Sequence, residues 1–284
     1  MDKLCDLHTH SIFSDGTFSP AQLINEAEQI GLSAIALTDH NTVAGLTDFL
    51  TAAENSSVTA IPGIEFSSDY EDLELHIVTL FLRPEHYSAI TELTDGMNLR
   101  KKQSNLDLIE KLNRDGYHIS YETIKASMPA GEPNRANIAA ELTRMGYTAN
   151  NKEAFQTLLG AKCGYYQPPK RVDVFELIEF IRSMGLVSVL AHPFLSFKEE
   201  ARLVKFLEKA AECGLQGMET HYPLFSPEQT QRLDDLAHQF GLAQSGGSDF
   251  HGENKPDISL GCGKGGLRVP LHFLDQLKDR LGQK

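Results

Sequence analysis

Tryptophan is absent from this 284-residue chain, cysteine occurs four times, and basic residues are outnumbered by acidic ones. The thiols, Cys5, Cys163, Cys213 and Cys262, are scattered and form no C-x-x-C pair. That argues against a disulfide framework and for reduced thiols in a cytosolic protein. Lys and Arg number 26 against 39 Asp and Glu, a net charge of −13. The deficit argues against a broad basic face and a stable nucleic-acid complex, because phosphate contacts need Lys and Arg in bulk. It leaves room for a small phosphorylated ligand held at one positive point. No apolar run approaches the ~18 residues of a membrane span, so no membrane partner is expected. The start, Met1-Asp2-Lys3-Leu4-Cys5-Asp6, has no signal-peptide apolar segment, and a cytoplasmic location is expected. No G-x-S-x-G elbow or comparable nucleophile triad is present. The surplus is in histidine, with 11 residues.

Short apolar runs alternate with amphipathic stretches through most of the chain. Leu4–His8, Ser33–Thr38, Val58–Ile64, Leu73–Leu82, Leu186–Ala191, Leu215–Glu219 and Leu242–Gln244 read as strands. Helices are expected from Ser19 to Ile30, over Val43–Ala53, Val172–Met184 and Lys198–Cys213, from Ser226 to Phe240, and from about His272. Ser19-Pro20-Ala21-Gln22 and Ser226-Pro227-Glu228-Gln229 each combine an N-cap serine, proline at the first helical position and a capping-box glutamine. Seven strands in mostly βα order imply an α/β fold with a parallel sheet closed as a distorted seven-stranded barrel. Residues 99–165 show no strand and four helical stretches, too long for a loop. They read as an all-helical insertion, a small lid subdomain, between barrel segments 1–98 and 166–284.

The chemistry gathers at the strand ends. Strand one ends in His8-Thr9-His10, two imidazoles on one face, followed by Ser14-Asp15-Gly16 on the first loop. Strand two ends in Thr38-Asp39-His40, strand three near Gly63-Ile64-Glu65, strand four carries His76, and strand five ends in Ala191-His192-Pro193. The last strand runs into Gly247-Ser248-Asp249-Phe250-His251. In a parallel barrel these ends form one face, so distant residues converge. Burying so many carboxylates and imidazoles without a cation costs several kcal/mol, which points to a multinuclear metal site. His86, His118, His238 and His272 fall outside the pattern and are read as solvated. Phe175, Phe180 and Phe206 are read as core, and Arg100-Lys101-Lys102 as a solvated helix face.

These motifs, in this order, resemble those of the PHP (polymerase and histidinol phosphatase) superfamily up to about residue 252, and most closely its stand-alone bacterial phosphoesterases of the TrpH/YciV type. The resemblance implies a distorted seven-stranded barrel with a helical insertion. It also implies hydrolysis of nucleoside 3′,5′-bisphosphates or of the 5′ ends of short RNA. Three divalent metals follow from it, usually manganese, with iron or zinc possible. By that analogy His8, His10, Glu65 and Asp249 hold the first metal, and Glu65 bridges to a second held by His76 and His192. Asp15, His40 and His251 hold the third. Asp6 and Asp39 are read as orienting ligand imidazoles. Such ions lower the pKa of a bridging water and neutralise phosphoryl oxygens during in-line displacement.

Arg135, near a helix start in the insertion, and Lys170 are expected to steady the substrate phosphate. A plain surface arginine is the competing reading of Arg135. His221, after strand six, is a candidate for substrate contact or leaving-group protonation, against a satisfied loop histidine. Two departures from the family pattern bear on substrate choice. Asn134-Arg135-Ala136-Asn137 stands where members often carry Gly-Arg-Pro-His. Ile77-Val78-Thr79-Leu80-Phe81 replaces a glycine-containing turn. The alternatives to a nucleotide are a non-nucleotide phosphomonoester, such as histidinol phosphate or a sugar phosphate, and a non-catalytic metal-stabilised module.

Overall fold

The computed structural model describes residues 3–128, 132–160 and 162–282. Residues 129–131 and 161 of the expected insertion lie outside that set. The chain divides into two compact units, Met1–Thr91 with Val172–Lys284, and Glu92–Arg171. The described residues form eight strands: β1 (Cys5–Asp6), β2 (Ala34–Leu37), β3 (Thr59–Tyr70), β4 (Leu73–Leu80), β5 (Val172–Asp173), β6 (Val187–Leu190), β7 (Gly217–His221) and β8 (Ala243–Gly246). The helices are α1 (Pro20–Gln29), α2 (Leu46–Ala53), α3 (Pro84–Arg114), α4 (Tyr121–Ala126), α5 (Arg135–Arg144), α6 (Asn151–Ala154), α7 (Val174–Ser183), α8 (Pro193–Ser196), α9 (Glu200–Cys213), α10 (Pro227–Gln239) and α11 (Leu271–Lys278).

Seven strands follow one another as β1-β2-β3-β4-β6-β7-β8, and β5 pairs with β3 off that path. The sheet nearly closes on itself. Leu7 N donates to Gly246 O at 3.1 Å, bringing β1 against β8. The expected all-parallel order fails at β4, which runs antiparallel to both β3 and β6. The cause is local: β3 continues past Glu65 to Tyr70, and only Glu71-Asp72 separates it from β4. A two-residue connection can join only antiparallel strands. Glu71 takes a positive φ of 52° to make the turn.

The cap chemistry is as the residues suggest. Ser19 and Ser226 each form a capping box with the glutamine three residues on, and Pro20 and Pro227 open their helices. Gly214 ends α9 at φ 105°, a conformation that costs glycine nothing. Alternate residues of the strands, among them Cys5 and Leu7, Ala34 and Ala36, and Val187 and Val189, meet Phe273, Leu274 and Leu277 of α11 in one buried cluster. At period two the same face of β3 carries Ile61 and then Glu65, and that of β4 carries Leu80, Val78 and then His76. The barrel core therefore passes directly into the polar cluster described below. Of the phenylalanines read as core, Phe206 is fully buried while Phe175 and Phe180 are half-buried.

The second unit is all-helical and has its own core, built on Leu108, Leu112, Ile124, Ile138, Leu142 and Leu159. Its limits, Glu92 and Arg171, are wider than the expected 99–165 because α3 is one continuous helix of 31 residues. No helix among the described residues is long and apolar enough to cross a membrane.

Candidate metal centre

The nine strand-end residues come together around one carboxylate. Glu65, fully buried, is reached by five imidazoles. Its Oε2 lies 3.2 Å from His8 Nε2, 3.3 Å from His10 Nε2 and 3.0 Å from His40 Nδ1. Its Oε1 lies 2.8 Å from His76 Nδ1 and 3.2 Å from His192 Nε2. His76 reaches the cluster because β4 is antiparallel, so the first half of this strand lies beside the second half of β3. Asp249 Oδ1 is 3.3 Å from His10 Nε2 and 3.7 Å from His8 Nε2. Asp15 completes the far side, with Oδ1 3.1 Å from His251 Nε2 and Oδ2 3.8 Å from His40 Nε2.

Several features fit divalent cations. His8 Nε2 and His10 Nε2 face each other at 3.1 Å, an arrangement in which two lone pairs oppose unless a proton or a cation lies between them. Donor atoms ~2.1 Å from a shared ion lie about 3.0–3.4 Å apart in octahedral or tetrahedral geometry, close to the separations just given. Glu65 Oε2 and the Nδ1 atoms of His40 and His192 are buried with no hydrogen-bond partner. Buried groups of that kind are costly unless something satisfies them. Three sets bring ligand atoms close enough to share an ion: His10, Asp15, His40 and His251; His8, His10 and Asp249; and His40, Glu65 and His76.

The electrostatics agree. Burial pushes the carboxyls of Asp15, Glu65 and Asp249 up, yet their cationic neighbours hold all three well below the usual carboxylate range. Burial works against charge on His8, His10 and His76 too, and the carboxylates overcome it, raising His10 to about 9 and His76 to about 10. At His40 burial wins, and its pKa drops to about 4. Protons that compensate three buried carboxylates in this way are those that divalent ions displace on binding.

Backbone geometry holds the donors in place. His192 sits at φ 29° and Asp249 at φ 52°, both uncommon for residues with a side chain. Each is pinned by a hydrogen bond: His192 N donates to Glu219 Oε2 at 2.7 Å, and Asp249 N to His8 O at 2.9 Å. Gly247 lets β8 approach β1, since a Cβ there would stand 2.5 Å from His8 N. Gly16 does the same in the first loop, where a Cβ would meet His10 O at 2.3 Å.

The supporting carboxylates differ from expectation. Asp6 does not touch an imidazole: its Oδ1 accepts from Ser248 N at 2.8 Å, and its Oδ2 accepts from Ser248 Oγ and Gly261 N. Asp39 accepts from Ser11 N and Ser11 Oγ and from Ser14 Oγ. Both are buried among N–H and O–H donors of loops, so they fix the loops that carry ligands rather than the rings. Glu219, unremarked in the sequence, holds the ring of His8, with Oε1 2.8 Å from Nδ1. That contact leaves His8 Nε2 directed at Glu65 and Asp249. The signal for Glu219 was its place on β7, the neighbour of the β6 strand that leads to His192. Tyr222 Oη and Lys255 Nζ both donate to Asp249 Oδ2, at 2.7 and 2.6 Å.

The remaining sequence candidates have other surroundings. His221, on β7, packs its ring 5.0 Å from Phe273 and has Nδ1 3.9 Å from Asp234. Arg135 and Lys170 belong to the helical unit. Arg135 is the first residue of α5 and lies 4.0 Å over the ring of Tyr166, a cation–π contact. Lys170 is exposed, and its carbonyl accepts from Arg100 Nε at 2.8 Å. Asn137 serves the cap of α5: its Oδ1 accepts from Asn134 N at 2.9 Å. His86, expected in solvent, is buried, because its Nδ1 accepts from Arg83 N at the start of α3.

A cluster of histidines and carboxylates around buried Glu65 suits divalent metal ions, and similarity to known proteins agrees. The chain belongs to the PHP domain family, whose profile matches residues 6–178. It is 33% identical over 252 residues to a 5′-3′ exoribonuclease of Haemophilus influenzae, covering 88% of this chain and 91% of that protein. It is 31% identical over 261 residues to the 5′-3′ exoribonuclease Rnm of Escherichia coli, covering 90% and 87%. Among solved structures, a Bifidobacterium adolescentis protein assigned as a metal-dependent phosphoesterase superposes with a TM-score of 0.86 at 26% identity, covering 98% of this chain and 96% of that one. The chain is thus a PHP-type metal-dependent phosphoesterase, an enzyme that hydrolyses phosphate esters with divalent metal ions.

Proposed function

We propose that the substrate is a phosphate ester of a small nucleotide: the 5′ end of a short 5′-phosphorylated RNA, or the related nucleoside 3′,5′-bisphosphate. The observation that carries this reading is the gathering of the nine histidines and carboxylates around Glu65 in a chain that follows two 5′-3′ exoribonucleases over about nine tenths of its length. In this reading three ions are held. His8, His10, Glu65 and Asp249 take the first, His76 and His192 share Glu65 around the second, and Asp15, His40 and His251 take the third. The mixed nitrogen and oxygen donors suit manganese, the metal we favour, and also iron or zinc. When bound, the ions lower the pKa of water and neutralise phosphoryl oxygens.

The chain's own groups do the rest. Glu219 keeps His8 Nδ1 engaged so that Nε2 faces the cluster. Tyr222, whose hydroxyl burial pushes up so that it stays protonated, donates to Asp249 together with Lys255 and directs the opposite carboxylate oxygen inward. Arg135 and Lys170 take phosphate oxygens, and His221 contacts the substrate. The test is a release assay with the manganese-loaded protein. It compares 5′-phosphorylated pentaribonucleotide, nucleoside 3′,5′-bisphosphate, histidinol phosphate and a sugar phosphate. Preferential turnover of either nucleotide substrate supports the reading; preference for a non-nucleotide ester overturns it.

A further inference from the structure

Beside the cluster, the barrel unit carries a groove made of two cavities, of ≈ 350 and ≈ 580 Å³, that share Tyr222 and Lys264. Both are within the size of small-ligand sites. The first is walled by Leu195, Leu224 and Ile258, with Lys255 and Lys264 and one carboxylate, Asp257, at its sides. Leu195 is 39% and Leu224 49% exposed, so both present apolar surface to a ligand. The second is lined by His221, Phe225, Gln231, Lys264 and Arg268. Its one carboxylate, Asp234, already accepts from Gln244 Nε2 at 2.6 Å.

The groove adjoins the metal centre through two shared side chains. Tyr222 Oη and Lys255 Nζ lie in the first cavity's wall and both touch Asp249 Oδ2. Leu195 N donates to the carbonyl of His192, so the apolar wall is tied to a strand-end histidine. A phosphate at the cluster would therefore have the apolar surface of Leu195 and Leu224 near it, followed by Phe225 and two further cations, Lys264 and Arg268. Alternation of stacking surfaces with cations is how single-stranded nucleic acid is held without reading its sequence.

We propose that this groove receives the nucleotides on the 3′ side of the reacting phosphate of a single-stranded RNA. Bases lie against Leu195 and Leu224 in the first cavity and Phe225 in the second, and Lys264 and Arg268 pair with successive backbone phosphates. The proposal rests on the nucleotide reading of the cluster. It makes affinity depend on chain length, since only an oligonucleotide reaches the second cavity.

The test is fluorescence anisotropy with 3′-labelled 5′-phosphorylated RNA of two and of five nucleotides, bound to the manganese-loaded enzyme at several salt concentrations. A parallel assay follows nucleotide release. The five-mer binds at least tenfold more tightly than the dinucleotide. In the double variant Lys264→Ala, Arg268→Ala that advantage disappears, and the slope of log affinity against log salt for the five-mer falls by about 1.4, or ~0.7 for each phosphate no longer neutralised. Melting temperature and metal content serve as the fold control. Leu224→Asp weakens the five-mer independently of those cations. Length-independent affinity in the wild-type enzyme, or an unchanged salt slope in a folded double variant, overturns the groove. Length-dependent binding without RNA hydrolysis instead overturns the nucleotide reaction while leaving the groove in place.

Discussion

Glu219→Gln is the substitution that separates orientation of the metal ligands from their mere presence. Glu219 is buried and uses both oxygens, Oε1 with His8 Nδ1 at 2.8 Å and Oε2 with His192 N at 2.7 Å. Glutamine is nearly the same shape but carries one oxygen and one NH2. If the NH2 faces His192, two donors oppose each other and the φ 29° backbone of His192 loses its anchor. If it faces His8, the imidazole must accept at Nδ1, which moves the ring proton to Nε2, the atom aimed at Glu65 and Asp249. Either arrangement leaves a buried polar group unsatisfied, a cost of about 1–3 kcal/mol. At 1.4 kcal/mol per decade, that is roughly a 10- to 100-fold loss of metal affinity, the range found when an outer partner of a ligand histidine is removed. Competition between the protein and a chromophoric chelator for manganese measures it directly. A Glu219→Gln protein binding manganese within twofold of wild type would refute the orienting role.

Other residues make sharper or simpler cases. Gly247→Ala places a methyl 2.4 Å from His8 Cβ, and overpacking of this kind costs about 1–3 kcal/mol. A lower melting temperature and reduced metal uptake should appear together, whereas wild-type values for both would mean that the β8–β1 approach tolerates a side chain. Arg135→Ala should raise KM for a phosphomonoester severalfold and leave metal content intact, as elemental analysis with steady-state kinetics will show. Unchanged kinetics would make Arg135 a surface arginine stacked on Tyr166.

Much of the barrel was legible because its signals are local. Ser19-Pro20-Ala21-Gln22 and Ser226-Pro227-Glu228-Gln229 specify helix starts through a few atoms each, and the strand-end histidines stand in motifs of two or three residues. The departures arise where distant segments decide. The antiparallel course of β4 hangs on Glu71-Asp72, a turn pair without the glycine or asparagine that usually marks a hairpin. Without that reversal, His76 offers no reason to meet Glu65. Glu219 is a single glutamate on a five-residue strand, and its partners are 211 and 27 residues away. Asp6 and Asp39 were recognised as supports, but which donors they meet depends on loops at 248, 261, 11 and 14. The single helix from Pro84 to Arg114 was hidden by a weak amphipathic pattern along its 31 residues.

The central claim is that Glu65 and the imidazoles and carboxylates around it form a multinuclear centre. Elemental analysis after reconstitution with manganese and removal of loosely bound metal tests it most directly. Three equivalents per chain are predicted, falling to two or fewer in Glu65→Gln. One equivalent or less in the wild-type protein would contradict the account.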